Sequence, residues 1–512
     1  MEAAMENVLI VGAGPTGLAL ALWLTRQGIA VRIIDKSAGP GEASRALAVQ
    51  ARTLELYQQL GLADAVVAAG HEVPAINLWA QGRHRARLSF GDAGAGVTAY
   101  PYLLIYPQDQ HERLLVERLR SLGVQVERQT ELIGFEDQGE HVRARLRLPD
   151  GSEQACDTRY LAGCDGARST VRHQLGTGFE GGTYRHVFYV ADAEVSGPTP
   201  PGEAHIALDR GDFVAVLPYS DSGRVRLIGT VRDERADRAD TLAFDDVSHD
   251  AIQSLGVTVH KLNWFSTYHV HHRIASTFRD RRVFLLGDAA HVHSPAGGQG
   301  MNTGILDANN LAWKLAAVLN GQAPDSLLDT YTLERQAFAR KLVDTTDRVF
   351  SFVTRQGDLA EFVRLHIAPR VMGVAYKLDS VREFMFRMIS QTTLNYHDSP
   401  LSQGKAGEVQ GGDRLPWVRP ADTDNYAPLT VIGWQVHVYG EAGPGLRSWC
   451  EAHRVALHEF AWTPVHQHYG LARNAAYLLR PDTYVALADE AASPEALREY
   501  FDRLGISPGV TA

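Results

Sequence analysis

Three glycines, Gly12, Gly14 and Gly17, hold the GxGxxG spacing within VLIVGAGPTGLALAL, and Asp35 follows eighteen residues after Gly17. Each has a physical use where a strand runs into a helix. Gly12 permits a tight turn, Gly14 lets the backbone approach a pyrophosphate, and Gly17 allows the helix to pack close to the strand. The helix N-terminus then presents unpaired amides and the positive end of a dipole to phosphate. Asp35 ends the second strand, where a carboxylate accepts hydrogen bonds from a ribose. The chemistry indicated is dinucleotide binding, and the glycines do not separate FAD from NAD.

A second segment, VFLLGDAAHVHSPAGGQGMNTGILDANNLAWKLA, runs from a buried strand to Gly287 and Asp288, then through Gly297, Gly298 and Gly300 into another helix. An acid directly after a strand can bind a polyol. A glycine-rich turn into a helix can bring amides against an anionic group. The same pattern also suits a plain strand-loop-helix joint with a capping aspartate.

These residues need elements to position them. Residues 7–36 read as a βαβ unit, 44–62 as a loop into a helix, and 110–122 as an amphipathic helix. Residues 124–160 alternate short strands and turns, and 179–278 form strands separated by polar turns. The charged run RDERADRAD, 232–240, reads as a solvated loop. A buried strand at 282–286 and a helix at 303–319 follow, helical sequence continues to about residue 392, and the polar, Gly-rich stretch 395–412 reads as a linker.

Hydrophobic residues make up 45% of the 512-residue chain and charged residues 21%, which sets aside disordered, collagen-like and coiled-coil readings. The length suggests roughly three domains. A net charge of −10 lacks the basic footprint of non-specific nucleic-acid binding. The N-terminus does not read as a signal peptide, and no apolar run reaches the roughly 18 residues of a membrane span. Three scattered cysteines, Cys156, Cys164 and Cys450, suit a reducing cytoplasm better than a disulfide framework. The expectation is a soluble cytoplasmic protein without nucleic-acid or membrane partners.

Two further segments complete a pattern: LAGCDGARSTVRHQLG, with Asp165 and Gly166, and PQDQHERLL, with Gln108 just before a helix. Together the four motifs, in order over about residues 7–345, resemble the group A flavoprotein aromatic hydroxylases, the p-hydroxybenzoate hydroxylase-like family. The resemblance is strongest to its longer phenol and polyketide hydroxylase branch. It implies an α/β fold: a Rossmann-like FAD-binding domain interrupted by a β-sheet substrate domain, with a C-terminal thioredoxin-like domain. The expected spans are 1–178 and 280–394 for the FAD-binding and helical parts, 179–279 for the substrate domain and 395–512 for the last domain.

The resemblance implies non-covalent FAD, with NAD(P)H as a transient co-substrate. Gly12, Gly14, Pro15, Thr16 and Gly17 would face the pyrophosphate, and Asp35, with Lys36 beside it, the adenosine ribose. Arg45 and Gln108 would contact the pyrophosphate and ribityl region, and Asp288 the ribityl chain. Amides near Gly298, Met301 and Asn302 would face N1 and O2 of the isoalloxazine, where reduced flavin is anionic. Asp165 has two readings, cofactor contact or a strand-to-helix turn, and Arg168 and Arg172 either steer an anionic cofactor or pair locally.

The reaction implied is hydroxylation of a small phenolic or polycyclic aromatic compound by O2 through a flavin C4a-hydroperoxide. Pro295 would line the flavin-side wall, with Ser294 where many relatives carry a first proline. Tyr219 and His205 are substrate candidates in the strand-rich region, as are Tyr268, His269 and His271, although such residues in strands more often serve packing. HVHHR, 269–273, lacks further ligands nearby, so no metal is expected.

The block from about residue 411 resembles the thioredoxin-like domain but contains only Cys450, which rules out a CxxC cycle. Packing, subunit contact in a homodimer or support of the substrate entrance remain for it. Two alternatives stand beside the hydroxylase reading. A flavin-dependent halogenase would carry a WxWxIP signature, which the chain lacks, and a catalytically idle FAD- or metabolite-binding relative would bind flavin without turnover.

Overall fold

The computed structural model describes residues 5–41, 46–197, 202–209, 212–219, 223–231, 242–247, 249–294, 298–354, 378–419 and 423–509. Apolar Glu6–Val11 forms the central strand of the first sheet, flanked in parallel by Val31–Asp35 on one side and Glu153–Gly163 on the other. Val126–Arg128 extends the parallel run beyond Val31–Asp35, and Val283–Leu285 extends it beyond Glu153–Gly163. Parallel strands carry both faces under cover, which is why residues 8–11 and Val283–Leu285 within the sheet are continuously apolar and buried. Helix Pro15–Arg26 and helix Gly300–Leu319 pack on this sheet and on each other, each almost wholly buried. The expected helix at 110–122 spans Gln108–Ser121, and the one at 303–319 begins a turn earlier, at Gly300.

The second sheet orders its strands His291–Val292, Thr258–Ala275, Phe179–Ser196, Arg224–Val231, Asp212–Pro218, Ala204–Asp209, Ala75–Ala80 and Arg83–Ser89. The sheet therefore takes in the hairpin Ala75–Ser89 from the first part of the chain, outside 179–279. At its other edge, His291–Val292 pairs antiparallel with Arg273 and Ile274. The glycine-rich loop after Asp288 thus begins as a strand of the second sheet, and the two sheets share this seam. The 232–240 run lies outside the described residues.

The last module is a six-stranded mixed sheet with helices Pro444–His453 and Pro494–Leu504. Residues 395–412 are not a free linker: Gln403–Ala406 pairs in parallel with Val485–Asp489. Its glycines serve close approach, since a Cβ on Gly404 would lie 2.3 Å from the Ala488 carbonyl oxygen. The module is fused to the rest through shared apolar clusters; in one of them Trp313 meets Trp434 edge-on at 5.7 Å, and in another Tyr484 joins the core of the first sheet.

A buried ion cluster lies at that junction. Arg480 donates to both oxygens of Glu334, at 2.6 and 3.0 Å, and also to Asp482, while Lys314 Nζ donates to Glu334 at 2.7 Å. Burial alone would raise the Glu334 carboxyl, but Arg480 and Lys314 outweigh it and hold it far below the usual carboxylate range. Burial moves Lys314 the other way, down to about 8, with Glu334 offsetting part of the effect. Removing one partner strands the others without compensation. Arg480→Met should therefore lose about 3 kcal/mol of stability in urea denaturation; an unchanged midpoint would show that the cluster is not holding the module.

Candidate functional site

The carboxyl ends of four parallel strands meet along one edge of the first sheet. Backbone hydrogen bonds run across it: Gly12 N–H to Ile34 O at 2.8 Å, Cys164 N–H to Val11 O at 2.8 Å, and Leu286 N–H to Gly163 O at 3.0 Å. Ligands of doubly wound sheets bind at such an edge. Here it brings together Gly12, Asp35, Asp165 and Asp288, residues spread over more than half the chain.

The three glycines differ in what surrounds them. Gly12 sits at φ +105°, and a Cβ there would meet the Cys164 carbonyl oxygen at 2.3 Å. One on Gly17 would lie 2.0 Å from the Gly12 oxygen, so these two positions are closed to any side chain. Gly14 is different: a Cβ there has no neighbour within 4 Å. It opens onto space directly before helix Pro15–Arg26, whose N-terminus has no side-chain cap. Pro15 begins that helix without an N–H to waste, and Thr16 fills the notch left by Gly287 and Gly304.

Asp35 accepts from Ala13 N–H and from Ser37 N–H, each at 2.7 Å, which leaves lone pairs on both oxygens. Lys36 is exposed beside it. Gln108 donates from Nε2 to Glu112 at 2.8 Å, and Glu112 in turn accepts from Gly41 N–H, so the start of helix Gln108–Ser121 is tied to the loop after Asp35. Burial raises the Glu112 carboxyl. Asp288 is exposed at the sheet edge. Arg45 and Pro295 lie outside the described residues.

The strand end, glycine-rich loop and second helix are pinned by a residue the sequence reading passed over, Asp307. Its carboxylate accepts from Gly287 N–H at 3.0 Å, pairs with His291 Nε2 at 2.7 Å and accepts from Arg335 Nε at 2.7 Å. Burial would raise this carboxyl, but Arg335 and His291 outweigh it and hold it low. Arg335 continues to the Thr303 carbonyl and the Tyr396 hydroxyl. The available signal was an acid placed in the apolar helix ILDANNLAW.

Gly298 (φ +62°) precedes that helix, and no side chain caps the helix N-terminus. The Asn302 side chain is fully engaged: it donates to Ala48 O and Gly298 O and accepts from Gln50 N–H and the Thr53 hydroxyl. The backbone amides of the first turn, rather than the Asn302 side chain, are thus left to meet a ligand. Met301 packs against the core beside them. His293 donates from Nδ1 to Ser294 O at 2.8 Å, and burial lowers its pKa to about 4, so it is neutral at pH 7 with an acceptor at Nε2.

Asp165 accepts from the Ser169 hydroxyl at 2.6 Å and from Val171 N–H at 3.1 Å, the pattern of a turn into helix Thr170–Leu175. Arg172 is spent locally on the Ala289 and Ala167 carbonyls and lies over the Phe179 ring, while Arg168 is exposed. Tyr219 and His205 fall on opposite faces of the second sheet. Residues paired across a ladder share a face. His205 therefore lies with Val216 and Leu227 on the far face, where its Nδ1 accepts from Trp79 Nε1. Tyr219 lies with Leu217, and both pack against the core of the first domain. The Tyr219 hydroxyl donates to Asp192, which also binds Arg226, a pair not singled out from the sequence.

The edge fits FAD: an open backbone cradle at Gly14, two uncapped helix N-termini and carboxylates at Asp35 and Asp288 all lie at or just beyond the strand ends. The glycines give a sharp test. Gly14→Ala should fold with a melting temperature near that of the parent but bind FAD about tenfold more weakly. Gly17→Ala should lose stability outright, because the clash is with backbone. Equal behaviour of the two variants in thermal melts and flavin titration would contradict this division.

Residues 5–346 match the family model described as FAD binding domain. The chain is 38% identical to 6-methylpretetramide 4-monooxygenase of Streptomyces rimosus over 423 residues, 80% of this chain and 73% of that protein. It is 32% identical to a flavin-dependent monooxygenase of Mycobacteroides abscessus, covering 97% of this chain and all of that protein. Among solved structures, a ternary complex of aklavinone-11 hydroxylase with FAD and aklavinone superposes with a TM-score of 0.77 at 28% identity, over 98% of this chain and 99% of that one. These two curated relatives are named as monooxygenases and this solved one as a hydroxylase, and they do not favour the halogenase alternative. With its strand-edge groove and this company, the chain belongs to the group A flavoprotein aromatic hydroxylases, as an FAD-dependent monooxygenase.

Proposed function

We propose that this monooxygenase takes electrons from NAD(P)H and uses O2 to hydroxylate a phenolic or polycyclic aromatic compound. One oxygen atom enters the ring in place of hydrogen, the other leaves as water, and NAD(P)H gives up two electrons. The observation that carries the reading is the shared seam. His291–Val292 closes the second sheet and opens the glycine-rich loop, so a ring held against that sheet would lie next to the loop.

Bound FAD supplies the two-electron acceptor and the activation of O2. The protein's part is to bind, orient and exclude water. Gly14 and the helix after it receive the pyrophosphate, Asp35 the adenosine ribose and Asp288 the ribityl hydroxyls. First-turn amides of helix Gly300–Leu319 stabilise negative charge without reorganising. The Tyr219 face of the second sheet walls the substrate from water. A phenol with a pKa near the ordinary value of about 10 is mostly neutral at pH 7, so an acceptor for its proton is needed. Asp165 is read as a turn-former that shapes the groove rather than as a cofactor ligand.

The last module is read as thioredoxin-like, on the order of its mixed sheet and flanking helices. Its Cys450 is buried, and burial raises the thiol to about 11, so it stays protonated. The module supports the fold through the Glu334 cluster rather than through redox chemistry. Free, buried Cys156, Cys164 and Cys450 suit the reducing cytoplasm proposed for the protein.

The purified protein should be yellow and should oxidise NAD(P)H faster when a phenol or polycyclic aromatic substrate is added. A colourless protein, or one indifferent to a broad panel of such compounds, would contradict the reading. Asp288→Ala should lose flavin during gel filtration, and full retention would reject its ribityl role. Cys450→Ser should keep its turnover rate; a folded but inactive variant would assign the module a thiol function after all.

A further inference from the structure

The face of the second sheet turned toward the first domain carries a charged pair that the reading so far leaves without a task. Arg226 is almost fully buried, and its guanidinium grips Asp192 in parallel, Nε to Oδ1 at 2.7 Å and Nη2 to Oδ2 at 2.9 Å. The aromatic rings of Tyr219 and Trp264 flank it, with Cζ 5.2 and 5.9 Å from their centres. Nη1 is buried and has no hydrogen-bond partner.

A buried guanidinium N–H left unsatisfied is costly, so such an orphan calls for a partner. The sheet register places it on a face suited to one: Arg226 pairs with Leu217 and Asp192 across the ladder, and Leu217 and Tyr219 pack against the core that includes Ala289, Ala290 and Met301, which flank the glycine-rich loop in sequence. The pair with Asp192 is formally neutral. It therefore suits a carbonyl or phenolic oxygen better than a carboxylate, which the Asp192 charge would oppose. Flanking Tyr219 and Trp264 supply flat surface for an aromatic ring.

We propose that Arg226, oriented by Asp192, holds a carbonyl oxygen of the aromatic substrate and so sets which ring position meets the flavin. The assignment rests on the hydroxylase reading for its substrate class, but its test does not depend on turnover.

The test measures binding of 2-acetyl-1-naphthol and 2-ethyl-1-naphthol, which differ in one carbonyl, to the flavin-loaded protein by quenching of tryptophan fluorescence. The parent should bind the acetyl compound about tenfold more tightly. In Arg226→Met that gap should collapse, with the ethyl compound bound about as before, and Asp192→Asn should narrow it. A purely structural role would weaken both ligands together and keep the gap. A gap that persists in Arg226→Met, equal weakening of both ligands, or no gap in the parent overturns the assignment. Mass analysis of the same mixtures with NAD(P)H reads the function separately: a gap without oxygenated product would uphold the oxygen site and count against hydroxylation.

Discussion

The structure turns on one buried carboxylate. Asp307 holds the Gly287 amide, the His291 ring and the Arg335 guanidinium at once, and these belong to the end of a sheet strand, the start of the glycine-rich loop and a following helix. Without a charge at this point, three buried donors would face one another unpaired. With it, the turn carrying Asp288 and the N-terminus of helix Gly300–Leu319 are fixed relative to the groove. Arg335 extends the same network to Thr303 and Tyr396, so the entrance to the last module is set by the same knot.

The second sheet is coupled to this knot through backbone rather than side chains. His291, bound to Asp307, is also the residue that pairs with Ile274 at the sheet edge. A shift of the second sheet would therefore drag the glycine-rich loop with it. The inserted sheet is also bound at both edges by strands from outside the insertion, His291–Val292 at one and the hairpin Ala75–Ser89 at the other.

Much of this was legible in the sequence, for a physical reason. GxGxxG, an acid at a strand end and a second strand-glycine-helix segment are local patterns, each tied to a backbone requirement, and Gly12 and Gly17 meet theirs through contacts that exclude a side chain. Non-local facts were not legible. Nothing near Ala75–Ser89 announces that it pairs with Ala204–Asp209, and glycines at 404 and 411–412 resemble a linker although they pack tightly. Tyr219 and His205 looked alike as strand aromatics. Only the register separates the face turned to the first domain from the far one. Asp192 and Arg226 were invisible for the same reason, since their pairing spans two strands.

The central claim, that the groove and the sheet cooperate to insert oxygen into an aromatic ring, is tested most directly by isotope. With a phenol that stimulates NAD(P)H oxidation, turnover under 18O2 in ordinary water should give a product carrying a single 18O atom. Label drawn from water instead, or NAD(P)H consumed with hydrogen peroxide as the sole oxygen product, would contradict the account.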